Sequence, residues 1–485
     1  MDRLAKQGIL YRQAICQCPA CVPSRNSMMF GMYASQLGVR ENGSGLYFED
    51  RLPALPLPEI LRQGGYQTAG FGKTHWNHGR YAEEPSTRGF EYRVDGTPKG
   101  HGALYEKGCI NMEEIDPEGY EWNRQECKNF GNGANVASYL GCTSQVPARQ
   151  HRDGFIADQC LKYLETRVDP EKPLFLYLSF YKPHAAFNVI SEFEGLYDIR
   201  DIPDVPQPPW AEEPETHLRE IRKNSRALRG QYAAWKETWE KLSPMQRRMT
   251  TLRYWANCSW LDAYFGKVLD KLQETGLLVN SLIVFTSDHG DMMGERNHTF
   301  GQFNLCENSI RVPLILSGSW VPKEKQGMVD DRPAELTDLV PTLVRAAGVK
   351  PNPMLPGLDL LNNTRRTGAF SEFHCGTERQ AGPAWAWRNE DWKLISYMPG
   401  LIWNAAARLQ EFRGELYDLR RDPYECKNIY YDPKYATVVN QLTTEMLMGT
   451  ACAYAKAPFY YSERGLAGLE PPDDNKNNEE KTEGL

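Results

Sequence analysis

No stretch of this sequence approaches the ~20 consecutive apolar residues that a membrane-spanning helix needs, so no span is expected. A basic surplus is missing as well. The net charge is -7, whereas a nucleic-acid binder would normally carry a basic balance or patch, so nucleic acid is not an expected partner. No apolar core follows Met1-Asp2-Arg3-Leu4-Ala5-Lys6-Gln7-Gly8, so this stretch lacks the shape of a secretory leader. It reads instead as part of a first helix, and the compartment stays open. Internal repeats are absent. There are 12 cysteines, and only Cys16, Cys18 and Cys21 cluster. Cys18-Pro19-Ala20-Cys21 is a Cys-x-x-Cys, but no second pair and no His-x3-His partner follows, which argues against a structural zinc site.

What remains is an ordinary globular composition, 41% hydrophobic and 25% charged over 485 residues, long enough for about two or three domains. Short apolar runs at 174–180, 282–286 and 312–316 suit strands buried on both faces. Helical spacing precedes two of them. Ile156, Cys160, Tyr163 and Leu164 share one face within 155–164, and Trp255, Leu261, Phe265, Val268, Leu269 and Leu272 recur within 252–272. Helix alternating with strand argues for an α/β fold with a parallel-rich sheet.

Segment 199–250 is rich in Pro, Lys and Arg and reads as a surface insertion, helical near 231–242. A break falls at 357–363. Beyond it, 392–397 and 415–419 read as strands of a smaller sheet. The polar stretch from Glu470 reads as disordered. The expected division is a catalytic region over 1–363, a C-terminal α+β subdomain over 364–465 and a tail over 466–485.

Three polar motifs follow apolar segments, where open α/β sheets bind ligands. Gly70-Phe71-Gly72-Lys73-Thr74-His75 places Lys73 and His75 two apart, on one side of an extended chain. Lys182-Pro183-His184 follows the run at 174–180. Ser287-Asp288-His289-Gly290-Asp291 follows the run at 282–286. Near the start stands Cys21-Val22-Pro23-Ser24-Arg25, in which Arg25 is a fixed cation about one turn beyond a thiol. Each motif alone is weakly specific. Together they form a constellation.

This constellation resembles the type I, formylglycine-dependent sulfatases of the alkaline phosphatase superfamily. Cys21 to Arg25 matches their Cys-x-Pro-Ser-Arg. Gly72-Lys73-Thr74-His75 matches Gly-Lys-Trp-His, and Pro183-His184 matches their Pro-His. Ser287 to Asp291 matches Ser-Asp-His-Gly-Asp, and Glu307 to Pro313 matches Glu-Glu-Ser-Ile-Arg-Val-Pro. Thr337 to Thr342 and Glu415 to Glu425 match later segments. The resemblance implies a large, mostly parallel sheet sandwiched by helices with a smaller C-terminal α+β subdomain.

It also implies hydrolysis of a sulfate monoester, on a sugar or aryl alcohol, through a formylglycine made from Cys21 by a maturation enzyme. Arg25 and Lys73 would neutralise sulfuryl oxygens. His75 would serve the residue-21 diol, and His184 would protonate the leaving alcohol or touch the sulfate. A divalent cation, calcium by its taste for hard oxygens, would sit on Asp288, His289 and residue 21.

Three departures stand out. The two metal-binding aspartates that the family carries upstream of this point have no counterpart in the chain as written. Gln302 occupies the place of a lysine that binds sulfate. Phe30-Gly31 replaces Thr-Gly, which would weaken recognition by the maturation enzyme. Two alternatives follow: a phosphonate monoester or phosphodiester hydrolase of the same superfamily, or an inactive homologue that only binds.

Overall fold

The computed structural model describes residues 1–42, 52, 54–76, 86–96, 106–130, 139–167, 169–210, 213–224, 226–374, 383–398 and 412–466. The expected tail lies outside these residues, apart from its first position.

The chain opens with a short helix, Asp2–Lys6, and then strand β1, Gly8–Ile15. β1 carries no clear strand periodicity, because Arg12 and Gln13 stand among its apolar residues. β1 lies between β9 (Arg311–Gly318) and β10 (Met328–Glu335). It is antiparallel to β9, with Ile9 opposite Leu316, and parallel to β10. Gly8 has no alternative here, since a Cβ would stand 2.1 Å from the Leu316 carbonyl oxygen. β6 (Leu282–Thr286) pairs antiparallel with the other edge of β9.

A second sheet is wholly parallel, in the order β4 (Ile110–Asn111), β3 (Tyr92–Asp95), β2 (Gln67–Gly72), β5 (Leu174–Ser179). The fold is thus α/β, as expected, but β9 runs against both its neighbours, so one of the two main sheets is mixed. β5 and β6 also differ from the fully buried strands that the apolar runs suggested. Among the described residues each pairs along one edge only, and every residue of both is half-buried.

Helix Arg152–Thr166 packs Phe155, Ile156, Cys160, Tyr163 and Leu164 on the parallel sheet. The long helix Pro244–Glu274 starts from a Ser243–Gln246 capping box, which satisfies two backbone donors reciprocally. It brings Phe265 against both Phe180, after β5, and Phe285 of β6.

Segment 199–250 is not the surface excursion that its composition suggested. Its helices His217–Asn224 and Arg226–Lys241 bury Leu218, Ile221, Trp235 and Trp239 in the main core. The rings of Trp235 and Trp239 meet Phe300 edge-on at 6.1 and 4.8 Å. Phe300 lies in β8 (Phe300–Gly301), which forms a small hairpin with β7 (Met292–Met293).

The C-terminal part is an antiparallel meander of β11 (Ala369–Phe373), β12 (Ala384–Arg388), β13 (Trp392–Tyr397) and β14 (Arg413–Asp418). The two strands foreseen here are β13 and β14. Val439, Leu442 and Met446 of helix Ala436–Leu466 cover one face.

Candidate active site

Cys21 is the first residue of helix Cys21–Phe30, a helix buried along its whole length. Ala20 gives this helix no side-chain cap; the Val22 N–H donates instead to Asn42 Oδ1 at 3.0 Å and the Ser24 N–H to the Ala20 carbonyl, so the amino end offers residue 21 chiefly the positive end of the helix dipole. The helix closes at Gly31, whose φ of 68° is the left-handed conformation that a glycine adopts without strain.

Several polar groups surround the Cys21 sulfur. His289 Nε2 is at 3.1 Å, Gln302 Oε1 at 3.3 Å and Lys73 Nζ at 3.5 Å. Burial opposes ionisation of this thiol. The charges of Lys73 and His289, with hydrogen bonds from His184 and His289, overcome burial and hold its pKa well below the usual thiol value. His289 shows the reciprocal effect. Burial would lower its pKa, but Asp288 and Cys21 push it up to about 10. Its Nδ1 faces the Gly290 carbonyl at 2.9 Å while Nε2 faces sulfur, an arrangement in which an imidazolium donates twice.

Lys73 reaches the site because β2 ends on a forced glycine. Gly72 has a φ of 83°, and a Cβ there would lie 1.7 Å from the Ser179 carbonyl oxygen. The next residue, Lys73, donates its own N–H to that carbonyl at 3.1 Å. Behind it, Thr74 donates to Glu106, which also pairs with Arg93 at 2.9 Å. His75 carries a φ of 54°. Burial and the Lys73 charge lower its pKa to about 3, against a hydrogen bond to Cys21 that raises it. It is therefore a neutral imidazole, and its buried Nδ1 has no hydrogen-bond partner among the described residues. Lys73 and His75 thus both reach residue 21, as their spacing suggested.

Arg25 does not point freely into the pocket. Its Nε donates to Asp288 Oδ2 at 2.7 Å, and its Nη1 to the Lys73 carbonyl, the Ser179 hydroxyl and the Tyr177 hydroxyl at 2.7, 2.9 and 3.1 Å. It bridges the carboxyl ends of β5 and β6 and fixes the backbone of Lys73. Asp288 resists protonation as a result: burial alone would raise its pKa, but Arg25 and His289 bring it to about 2. His184 turns Nδ1 to the Ala185 carbonyl at 2.6 Å.

All eight candidate residues therefore meet around position 21. Several neighbours escaped the sequence reading. Ser179 and Tyr177 belong to a foreseen strand, but nothing marked their side chains as partners of Arg25. Glu106 lies in an irregular stretch without periodicity. Asp291 was visible in its motif without a role. Burial raises its pKa, close to His289, His184 and Cys21. Cys16 and Cys18 are buried free thiols, and burial raises the pKa of Cys18 well above the ordinary thiol value. Among the described residues, the group able to hold a metal is Cys21, Asp288 and His289, with ligand atoms within 4.8 Å of one another. Cys18 is not part of that group.

A buried cluster of cationic side chains at a helix amino terminus suits an oxyanion, and comparison with known proteins places the chain in a family that acts on such groups. Residues 1–349 match the sulfatase family profile, and residues 294–451 match that of the N-sulphoglucosamine sulphohydrolase C-terminal region. The chain is 25% identical over 459 residues to an arylsulfatase of Clostridium perfringens, covering 91% of this chain and 87% of the relative. It is 28% identical to a choline-sulfatase of Rhizobium meliloti, covering 90% and 78%. Among solved structures, the phosphonate monoester hydrolase of Agrobacterium radiobacter superposes with a TM-score of 0.69 at 20% identity, covering 93% and 90%. A protein solved with its substrate D-glucosamine-2-N,6-O-disulfate gives 0.67 at 20% identity, covering 94% and 92%. At such identities the structural likeness speaks for the fold.

Proposed function

The chain belongs to the sulfatase family of sulfuric ester hydrolases, within the alkaline phosphatase superfamily, and from that premise we propose that it cleaves a sulfate monoester of a sugar or aryl alcohol through residue 21, matured to formylglycine by a modifying enzyme. The observation that carries this reading is Cys21 at the start of its helix with Lys73, His289 and Gln302 within 3.5 Å. The arylsulfatase relative and the likeness to a disulfated-glucosamine complex support the substrate class.

Formylglycine, when present, supplies a hydrated aldehyde, with one hydroxyl to attack sulfur and a second whose deprotonation releases sulfate. The chain's own residues do the rest. Lys73 and the helix amino terminus neutralise the sulfuryl oxygens where charge redistributes. Gln302 approaches residue 21 with an amide in place of a cation, adding a hydrogen bond without charge. His184 turns Nδ1 to the Ala185 carbonyl, so its Nδ1 donates there; in its imidazolium form it would pass the Nε2 proton to the leaving oxygen and be left neutral. His75 is held neutral and hydrogen-bonds residue 21, so it can orient a residue-21 hydroxyl by accepting a hydrogen bond from it. Arg25 acts through others: it holds Asp288 and the Lys73 backbone in place.

The family generally uses a metal ion, and Asp288 and His289 are the residues that would face it. Calcium takes six to eight oxygens. The described residues offer one carboxylate, whose Oδ2 receives Arg25, one nitrogen and residue 21. This set does not fit a tight calcium site. Titration calorimetry with calcium chloride is expected to show weak binding, and tight binding would reveal ligands beyond the described residues.

A second reading, phosphonate monoester hydrolysis, draws on the Agrobacterium radiobacter likeness and on the uncharged Gln302. After co-expression with a maturation enzyme, turnover of 4-nitrophenyl sulfate should exceed that of a 4-nitrophenyl phosphonate monoester. The reverse order would replace the sulfatase reading.

A further inference from the structure

Gln302 lies between β8 and helix Glu307–Ile310, in a turn that other parts of the chain hold from several sides. Phe303 has a φ of 78° and donates its N–H to the Pro19 carbonyl at 2.9 Å, two residues before Cys21. Leu305 is gripped at both ends of its peptide group. Lys393 Nζ, from β13, donates to its carbonyl at 2.9 Å, and its N–H donates to His217 Nε2 at 2.9 Å. His217 comes from the 199–250 segment and is almost wholly buried. Its Nδ1 faces Glu415 Oε1 at 2.9 Å, and its backbone N–H donates to the same oxygen at 2.6 Å. The Tyr417 hydroxyl donates to Glu415 Oε2 at 2.6 Å.

This network fixes the tautomer. The Leu305 N–H is directed at His217 Nε2, so Nε2 carries no proton, while Glu415 accepts from the His217 backbone N–H and the Tyr417 hydroxyl. His217 must therefore carry its proton on Nδ1, with Nε2 a bare acceptor for the Leu305 N–H. A buried backbone N–H left without a partner is costly, so the turn holds one position only while this acceptor is present.

We propose that His217 is a positioning residue: held by Glu415, it fixes the Leu305 turn and thereby sets Gln302 against residue 21. The 199–250 segment and the C-terminal sheet thus jointly control how closely the site fits its ester. The catalytic meaning rests on the sulfatase reading of position 21, whereas the positioning itself does not.

Two substitutions separate the halves of the imidazole. The amide nitrogen of His217→Asn can replace Nδ1 on Glu415 but cannot reach Leu305. The carbonyl oxygen of His217→Gln reaches the place of Nε2. In the unmodified full chain, iodoacetamide alkylation of Cys21, followed by peptide mass spectrometry, should speed up about five- to tenfold in His217→Asn, the effect of one lost hydrogen bond of ~1 kcal/mol. His217→Gln should stay near the parent rate. Gln302→Ala should mask the His217→Asn effect in a double-mutant cycle. In the matured enzyme, His217→Asn should raise KM for 4-nitrophenyl sulfate more than it lowers kcat, and His217→Gln should restore KM.

Equal behaviour of the two variants, or additivity with Gln302→Ala, would overturn the proposal. If His217→Asn does not fold, hydrogen exchange in the parent protein decides: a slowly exchanging Leu305 amide supports the grip, and fast exchange refutes it. Altered alkylation in a protein that hydrolyses no sulfate ester would leave the positioning intact and remove the sulfatase reading alone.

Discussion

Replacing Gln302 by lysine would install the cation that the sequence resemblance implies at this place, in a site built around an amide. Gln302 Oε1 and Lys73 Nζ both approach the Cys21 sulfur within 3.5 Å, so a lysine at 302 would bring a second ammonium within about 7 Å of the first. At an effective dielectric constant of about 20, two such charges repel by about 2 kcal/mol. Residue 302 is buried, and the protonated His289 adds to the repulsion. The unliganded variant should therefore be less stable by about 2 kcal/mol and melt a few degrees lower.

Inorganic sulfate reverses the balance. A charge-assisted hydrogen bond contributes about 1.5–3 kcal/mol, so sulfate should bind Gln302→Lys at least about tenfold more tightly. Differential scanning fluorimetry across a sulfate series reads both effects at once: a lower melting temperature without sulfate and a steeper rise with it. A variant as stable as the parent, with the same sulfate response, would show that Gln302 does not face the anion. Lost stability without a gain in sulfate affinity would mean that the pocket is matched to a different group.

Three further outcomes are expected. Cys18→Ala should cost about 1–2 kcal/mol by leaving a small void in the core yet keep turnover per folded molecule; loss of turnover as deep as in Cys21→Ala would give Cys18 a part in the chemistry. Glu415 has a folded pKa of about 2, below its unfolded value of about 4.3. Its ionised form thus contributes stability above about pH 4.3 that is lost as pH falls toward 2, about 3 kcal/mol in all. In urea titrations from pH 6 to 3, Glu415→Gln should start less stable and lose less on acidification than the parent, and parallel curves would contradict the assigned shift. Trp235→Ala should cost about 3–5 kcal/mol as a core truncation, measured by chemical denaturation; a change under 1 kcal/mol would return the 199–250 segment to the surface.

The legible part of this molecule was its chemistry. Lys73, His75, His184, Asp288 and His289 sit at strand ends or in motifs whose residue types and order are visible in one dimension. Lys73, His75 and His184 follow the adjacent parallel strands β2 and β5, whereas Asp288 and His289 follow β6 of the mixed sheet. The less legible part was where tertiary pairing overrides local pattern. β1 mixes Arg12 and Gln13 among apolar residues because its neighbours, not its own periodicity, hold it in the sheet. β5 and β6 read as doubly buried because an apolar run does not say whether both edges are paired. The 199–250 segment looked solvated because its charged residues outnumber the few, Leu218, Ile221, Trp235 and Trp239, that enter the core. Arg25 was visible as a cation, but its partners on β5 are 152 and 154 residues away, beyond any local rule.

The central claim is that residue 21 does the chemistry, and one paired measurement on protein co-expressed with a maturation enzyme tests it most directly. Peptide mass spectrometry around position 21 should show the thiol replaced by an aldehyde. Hydrolysis of 4-nitrophenyl sulfate should scale with the converted fraction and vanish in Cys21→Ala. Full sulfatase activity in Cys21→Ala, or activity independent of conversion, would contradict the account.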